Sequence, residues 1–148
     1  VSFRIVRRSE ARWQGTDSEG GGSIALGSGA FSGPYSLKAR AEEGHRTTNP
    51  EELLGAAEAG CYTMSLANLL SSQGHPPDEL ATTAAVRLEQ VSDGRFSITA
   101  IELTTVGQVP GVDADTFAAL AEQAKATCPV SRALAGTELS VTATLAGG

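Results

Sequence analysis

Apolar residues change their period several times along the chain, and each change marks an element. From Phe3 to Gly15, Phe3, Ile5 and Trp13 are interleaved with Arg4, Arg7, Arg8 and Arg12, the pattern of a strand. Ser23 to Gly27 forms a second short strand after the Ser18–Gly22 turn, making a hairpin with the first. Tyr35 to Ala41 alternates again, with Tyr35, Leu37 and Ala39 against Ser36, Lys38 and Arg40, and predicts a half-buried strand. A charged connector, Glu42 to Thr48, carries His45 and Arg46.

The period is then lost. From Asn49 to Gly74 the apolar positions Leu53, Leu54, Ala57, Cys61, Met64, Leu66, Leu69 and Leu70 keep to no single stripe, and no charge occurs after Glu58. A helix apolar nearly all round is a buried helix. Its ends are well marked. Asn49 suits the N-cap, Pro50 the first helical position, Glu52 a capping box, and Gly74 the left-handed stop. The small residues Gly55, Ala56, Ala57, Ala59 and Gly60 allow other backbones to approach closely.

After the His75–Asp78 break, two strands, Ala81–Val91 and Phe96–Val106, flank the Ser92-Asp93-Gly94 turn. A phase slip near Ala100 predicts a bulge. Asp113 or Asp115 caps a second helix to Thr127 with the stripe Phe117, Leu120, Ala121 and Ala124. Cys128-Pro129 opens a short third helix, and Glu138 to Leu145 closes the chain as a strand. The order β-β-β, α, β-β, α, α, β predicts an α+β fold, with antiparallel sheets around a long central buried helix. A handful of strands is little cover for such a helix, so a second subunit is expected to share its burial, as a two-fold dimer.

Composition narrows the field. Residues 1–148 have the length of a single domain. A net charge of −6 without a basic run argues against nucleic acid and anionic membrane surfaces as partners. The central helix is too short and too rich in Ser, Asn and Gly for a membrane span. No apolar stretch preceded by positive charge marks a signal peptide. Two cysteines make no disulfide scaffold, and a cytoplasmic location is expected. Neither cysteine has a second ligand at zinc-site spacing, so no metal or cofactor is expected.

Cys61 and Cys128 remain as candidate chemistry. Taken alone, Cys61 reads as a buried core thiol, since free cysteines are among the most buried residues. Cys128 is a capping or core residue, or a thiol whose anion the helix N-terminus favours. A reactive thiol also needs a nearby cation and, once oxidised to a sulfenic acid, a second thiol to trap it. Arg40 offers a cation or is a surface strand residue; Glu51 in the first turn complements the helix dipole. His45 and His75 lie in polar loops.

Two motifs add a further indication. Asn49-Pro50-Glu51-Glu52-Leu53, with Gly55-Ala56-Ala57 and Cys61, and Ala124 to Ser131 around Cys128-Pro129-Val130-Ser131, closely resemble the OsmC/Ohr family of osmotically inducible and organic hydroperoxide resistance proteins. Ala11–Gly15 and Val109–Asp113 extend the resemblance over nearly the whole chain. It implies an intertwined homodimer and a thiol-dependent peroxidase with no bound cofactor. Its substrate would be an organic hydroperoxide and its reductant an external dithiol. By carry-over, Cys61 resembles the peroxidatic cysteine, Cys128 the resolving one, Arg40 the arginine of the OsmC branch, and Glu51 the glutamate that holds it. The Ohr branch takes its arginine from the first hairpin loop, where this chain has Ser18–Gly22 and no arginine.

Glu51 and Cys61 lie ten residues apart on one helix, roughly 15 Å along its axis. Arg40 and Glu51 are therefore expected to serve the Cys61 of a second subunit. The rival functions are a non-catalytic dimer binding an apolar ligand and a redox sensor using the same disulfide.

Overall fold

The computed structural model describes residues 1–147 and divides the chain into two compact units, one of Val1–Leu53 and one from Leu54 on. The first unit holds a three-stranded antiparallel sheet, β1 (Ser9–Gln14), β2 (Gly21–Leu26) and β3 (Ser32–Tyr35), in that spatial order. β1 is shorter than the Phe3–Gly15 strand expected. β2 supplies partners only from Ser9↔Leu26 to Gln14↔Gly21, so Phe3 and Ile5 remain exposed. Gly22 is required where it stands, because a Cβ there would lie 2.4 Å from the Arg12 carbonyl oxygen and 2.6 Å from the Tyr35 ring.

The expected strand Tyr35–Ala41 is a correction. The strand ends at Tyr35, and Leu37–Ala41 forms a short helix, α1. Ser36 is the cause: its hydroxyl accepts a hydrogen bond from the Ala39 amide at 3.0 Å and caps the turn. Pro34, on the edge strand, has no N–H to donate outward.

The long helix α2 runs from Pro50 to Ser72. Asn49 caps it as expected, its Oδ1 accepting from the Glu52 amide at 2.8 Å. The capping box is only half formed, because Glu52 Oε1 instead accepts from the Thr48 hydroxyl at 3.0 Å. Gly74, at φ +83°, takes the left-handed stop.

In the second unit β4 (Glu79–Gln90), β5 (Phe96–Gln108) and β6 (Glu138–Leu145) form a sheet with β5 in the middle. β4 and β5 are an antiparallel hairpin whose register slips where Arg87 faces Ala100 and Leu88 faces Ile98. That leaves Thr99 as the extra residue of the expected bulge. β6 runs parallel to β5, so this sheet is mixed and not antiparallel throughout. A parallel neighbour requires a crossover, here α3 (Ala114–Thr127) and α4 (Pro129–Ala133). Asp113 caps α3 by accepting from the Thr116 amide at 2.7 Å. The expected stripe Phe117, Leu120, Ala121 and Ala124 is its buried face. Gly107 gives Phe117 room, since a Cβ there would lie 2.7 Å from the ring.

Along α2, Gly55, Glu58, Tyr62, Leu66 and Leu70 are buried at spacings of three or four. Tyr62, Leu66 and Leu70 join Leu103, Phe117, Leu120, Ala124 and Cys128 in one core. Gly55 lets β4 approach; a Cβ there would touch Val86 at 3.3 Å. The expectation of burial all round is corrected within one chain. Ala57, Gly60 and Asn68 on the other face are exposed, and Met64 is 75% exposed, because a three-stranded sheet covers one side of a helix only.

Candidate active site

The candidate residues fall into two pairs, one in each unit. In the second unit α2 carries Cys61 and the junction of α3 and α4 carries Cys128. Both are free thiols, Cys128 fully buried and Cys61 half-buried. Their Sγ atoms lie 2.9 Å apart and share a hydrogen bond. Tyr62, next to Cys61, donates its hydroxyl to the Ala121 carbonyl at 3.2 Å and ties α2 to α3. Burial holds the Tyr62 phenol well above its ordinary value, so it stays a donor.

Cys128 is the N-cap of α4 but provides no side-chain cap. The local groups divide the acidity of the pair unevenly. Burial and then the hydrogen bond with Cys128 push the Cys61 thiol up; the Val130 N–H pulls the other way, and the charges of Cys128 and Glu58 push it up further. Burial also pushes Cys128 up. There the Cys61 thiol, the Ser131 hydroxyl and the N–H groups of Ser131 and Val130 outweigh it and leave the thiol below its ordinary value. None of the leading contributions to Cys61 is a cation.

The first unit holds the other pair. The Arg40 guanidinium on α1 grips Glu51 in the first turn of α2, with Nε 2.9 and 3.1 Å from Oε1 and Oε2 and Nη2 2.6 Å from Oε1. Such a two-pronged, charge-assisted clasp fixes the plane of the guanidinium. The Arg40 side chain keeps 36% of its exposure and that of Glu51 only 10%. Trp13, Tyr35, Leu37 and Pro50, with Asp17 and Ser36, join Arg40 around a mainly apolar recess of about 180 Å³. Trp13 meets Tyr35 edge-on, centroids 5.4 Å apart. A mainly apolar recess beside an oriented guanidinium suits a molecule with an apolar body and an oxygen that develops charge.

Sequence reasoning missed Glu58. It is fully buried one turn before Tyr62, with Oε1 accepting a hydrogen bond from the Ser131 hydroxyl and Oε2 without a partner among the described residues. The signal was available: Gly55, Glu58 and Tyr62 follow the spacing of a core stripe, which places a carboxylate on the inward face. Among the described residues no group of three or more His, Cys, Asp or Glu could hold a metal ion, and no helix is long and apolar enough to cross a membrane.

Comparison with known proteins supplies the context. The model of the OsmC-like protein family matches residues 42–144. Peroxiredoxin OsmC of Escherichia coli (strain K12) is 43% identical over 131 residues, 88% of this chain and 90% of its own length. Among solved structures, the organic hydroperoxide resistance protein OhrB of Bacillus subtilis superposes with a TM-score of 0.68 at 25% identity, covering 93% of this chain and 97% of its own. An OsmC-like protein of Vibrio cholerae shares the fold, with a TM-score of 0.76 at 16% identity over 95% of this chain and 99% of its own.

Proposed function

This chain belongs to the OsmC-like protein family, and from that premise we propose that it is a thiol-dependent peroxidase reducing organic hydroperoxides to alcohols. The observation that carries the assignment to residues is the thiol pair, two sulfurs from distant segments 2.9 Å apart at a helix start.

The cycle has three steps. The Cys61 thiolate attacks the outer oxygen of ROOH, the O–O bond breaks, and the alcohol leaves with a proton. Cys61 is then a sulfenic acid. The Cys128 sulfur condenses with it, a disulfide forms and water is released. An external dithiol exchanges with the disulfide and restores both thiols. Arg40, oriented by Glu51, stabilises the Cys61 thiolate and the charge on the departing oxygen. The aromatic and aliphatic lining of the recess beside it favours an organic over an inorganic peroxide.

Arg40 and Glu51 act on the partner subunit's Cys61 in a homodimer. Three observations support this reading. The groups that act most on Cys61 raise its pKa and include no cation, so its thiolate needs one from elsewhere. Ten residues of helix separate Glu51 from Cys61 in the sequence. The uncovered side of α2 presents Met64, Ala57 and Gly60, an apolar and small-residue face suited to a second copy. Two reduced thiols and an external dithiol fit a reducing compartment, the cytoplasm.

The test is a thiol count on reduced protein before and after one equivalent of an organic hydroperoxide, with Cys61→Ser as control. Wild type is expected to lose both thiols and the variant neither. Survival of both thiols in wild type would remove the peroxidase reading and leave that of an apolar-ligand-binding dimer. Loss of both without turnover on added dithiol would mark a redox sensor.

A further inference from the structure

Glu58 has no part in the cycle above, yet it is a costly residue to bury. Its side chain has no exposure, and Oε2 has no partner among the described residues. An apolar residue there would continue the stripe of Tyr62, Leu66 and Leu70. Replacing both members of a buried polar pair by apolar groups is often neutral for stability. What the polar pair gives in exchange is a fixed position, since a hydrogen bond is directional and apolar packing is not.

That position lies beside the chemistry. Ser131 on α4 donates its hydroxyl to Glu58 Oε1 on α2, and Cys128 at the start of α4 shares its hydrogen bond with Cys61 on α2. Glu58 precedes Cys61 by three residues, and Cys128 precedes Ser131 by three. Both intervals are helical. α2 is continuous from Pro50 to Ser72, and the Arg132 and Leu134 amides bond the Cys128 and Val130 carbonyls at 3.0 Å each. Two side-chain rungs one turn apart thus join the same two helices, and one of them is the reacting pair. The thiol rung is broken and remade in every cycle. The Glu58–Ser131 rung exchanges no atom with the substrate and can hold throughout.

We propose that the Glu58–Ser131 hydrogen bond holds α4 against α2 and so keeps the Cys128 sulfur in line with the oxidised Cys61, making Glu58 and Ser131 positioning residues of the resolving step. The inference rests on the peroxidase reading above and deepens it. In that step the Cys128 S–H bond breaks and an S–S bond forms to Cys61. The S–O bond of the sulfenic acid breaks with its electron pair on oxygen. That oxygen takes up the proton given by Cys128 and leaves as water. The Cys61 sulfur is reduced and the Cys128 sulfur oxidised. Placement governs such a step, because a shift of about 1 Å can cost about a hundredfold in rate. α4 has five residues, far too few to be a stable helix alone, so its place depends on what it is tied to.

The experiment mixes the reduced, full-length protein rapidly with an organic hydroperoxide. Sulfenic acid is read by trapping with a dimedone-type probe, disulfide by quenched thiol counts, and stability of the reduced protein by urea unfolding. Three variants are compared: Ser131→Ala, Glu58→Gln, and Glu58→Leu combined with Ser131→Ala. Ser131→Ala breaks the rung and is expected to form sulfenic acid near the wild-type rate but disulfide about tenfold more slowly. Glu58→Gln keeps an amide oxygen that accepts from Ser131 and is expected to form the disulfide within about threefold of wild type. The double variant leaves no buried polar group unpaired, so it is expected to regain the stability that Ser131→Ala loses. Its disulfide formation is nevertheless expected to stay about tenfold slow.

A double variant whose disulfide rate recovers with its stability would assign the pair a purely structural part and overturn the proposal. Wild-type disulfide rates in Ser131→Ala would overturn it too, as would Glu58→Gln as slow as Ser131→Ala or equal slowing of both steps. If Ser131→Ala fails to fold, the double variant decides by the same readouts. Wild type unable to form the disulfide at all would overturn the peroxidase reading, and this inference with it.

Discussion

Two helices in this chain begin with the same grammar and put it to different uses. α2 begins Asn49-Pro50 and α4 begins Cys128-Pro129. At α2 the Asn49 side chain accepts from the Glu52 amide, and the helix start is closed. At α4 Cys128 makes no side-chain cap, and the uncapped N–H groups of Val130 and Ser131 favour its thiolate instead. A start whose amides are satisfied by its own cap is a structural device, and its charged neighbour Glu51 is left to grip Arg40. A start left uncapped leaves its amides to favour an anion at the thiol. Proline at the first helical position is common to both, so it is the residue before it that separates scaffold from site.

The comparison can be tested by exchanging what each start provides. The largest effect is expected at Cys128→Ala. Catalytic turnover with a dithiol should fall by about a hundredfold or more, as the Cys61 sulfenic acid is left without a thiol to trap it. The reaction with peroxide should survive, with its pH dependence displaced. Cys128 raises the Cys61 pKa through its hydrogen bond and charge. Removing it lowers that pKa, so the rate should rise with pH over a lower range than in wild type. A stopped-flow pH series checks the direction, and an upward displacement would contradict the division of acidity drawn here.

A smaller loss, on the order of tenfold to a hundredfold in kcat/KM for the hydroperoxide, is expected for Glu51→Gln. The amide can hold at most one arm of the Arg40 fork and carries no charge. Steady-state kinetics should show the loss with both thiols intact and the fold unchanged by circular dichroism. The smallest effect belongs to the closed start. Asn49→Ala should cost about 1 kcal/mol of stability in urea unfolding and leave the resolving step untouched. If Asn49→Ala slowed disulfide formation as much as Cys128→Ala, the distinction between the two helix starts would fail.

Elements signalled by side chains close in sequence were legible in advance. Asn49, Asp113 and Gly74 mark helix ends through bonds or angles set within three residues. The Phe117–Ala124 stripe and the slip beside Ala100 are periodicities of a single element. The pairing of Cys61 with Cys128 and of Arg40 with Glu51 was legible through the motifs that resemble a known family. The remainder depended on competition between signals. Tyr35–Ala41 alternates as a strand should, but one hydroxyl at Ser36 decided for a helix. The direction of β6 was hidden because its alternation suits either direction of pairing. Glu58 was passed over because a charge on a helix suggests solvent, and only its Ser131 partner explains its place inside.

The parallel pairing of β5 and β6 has a consequence for the order of folding. The β4–β5 hairpin closes locally, whereas β6 finds β5 only after the intervening helices have been made, and such long-range closure is slow. Cys61 precedes the hairpin and Cys128 lies inside the crossover, 67 residues later. On a ribosome, Cys61 emerges well before the segment that places its partner. The nascent chain therefore carries a solitary thiol with no neighbour to trap its sulfenic acid. The two sulfurs can meet only once the crossover that carries Cys128 has been made.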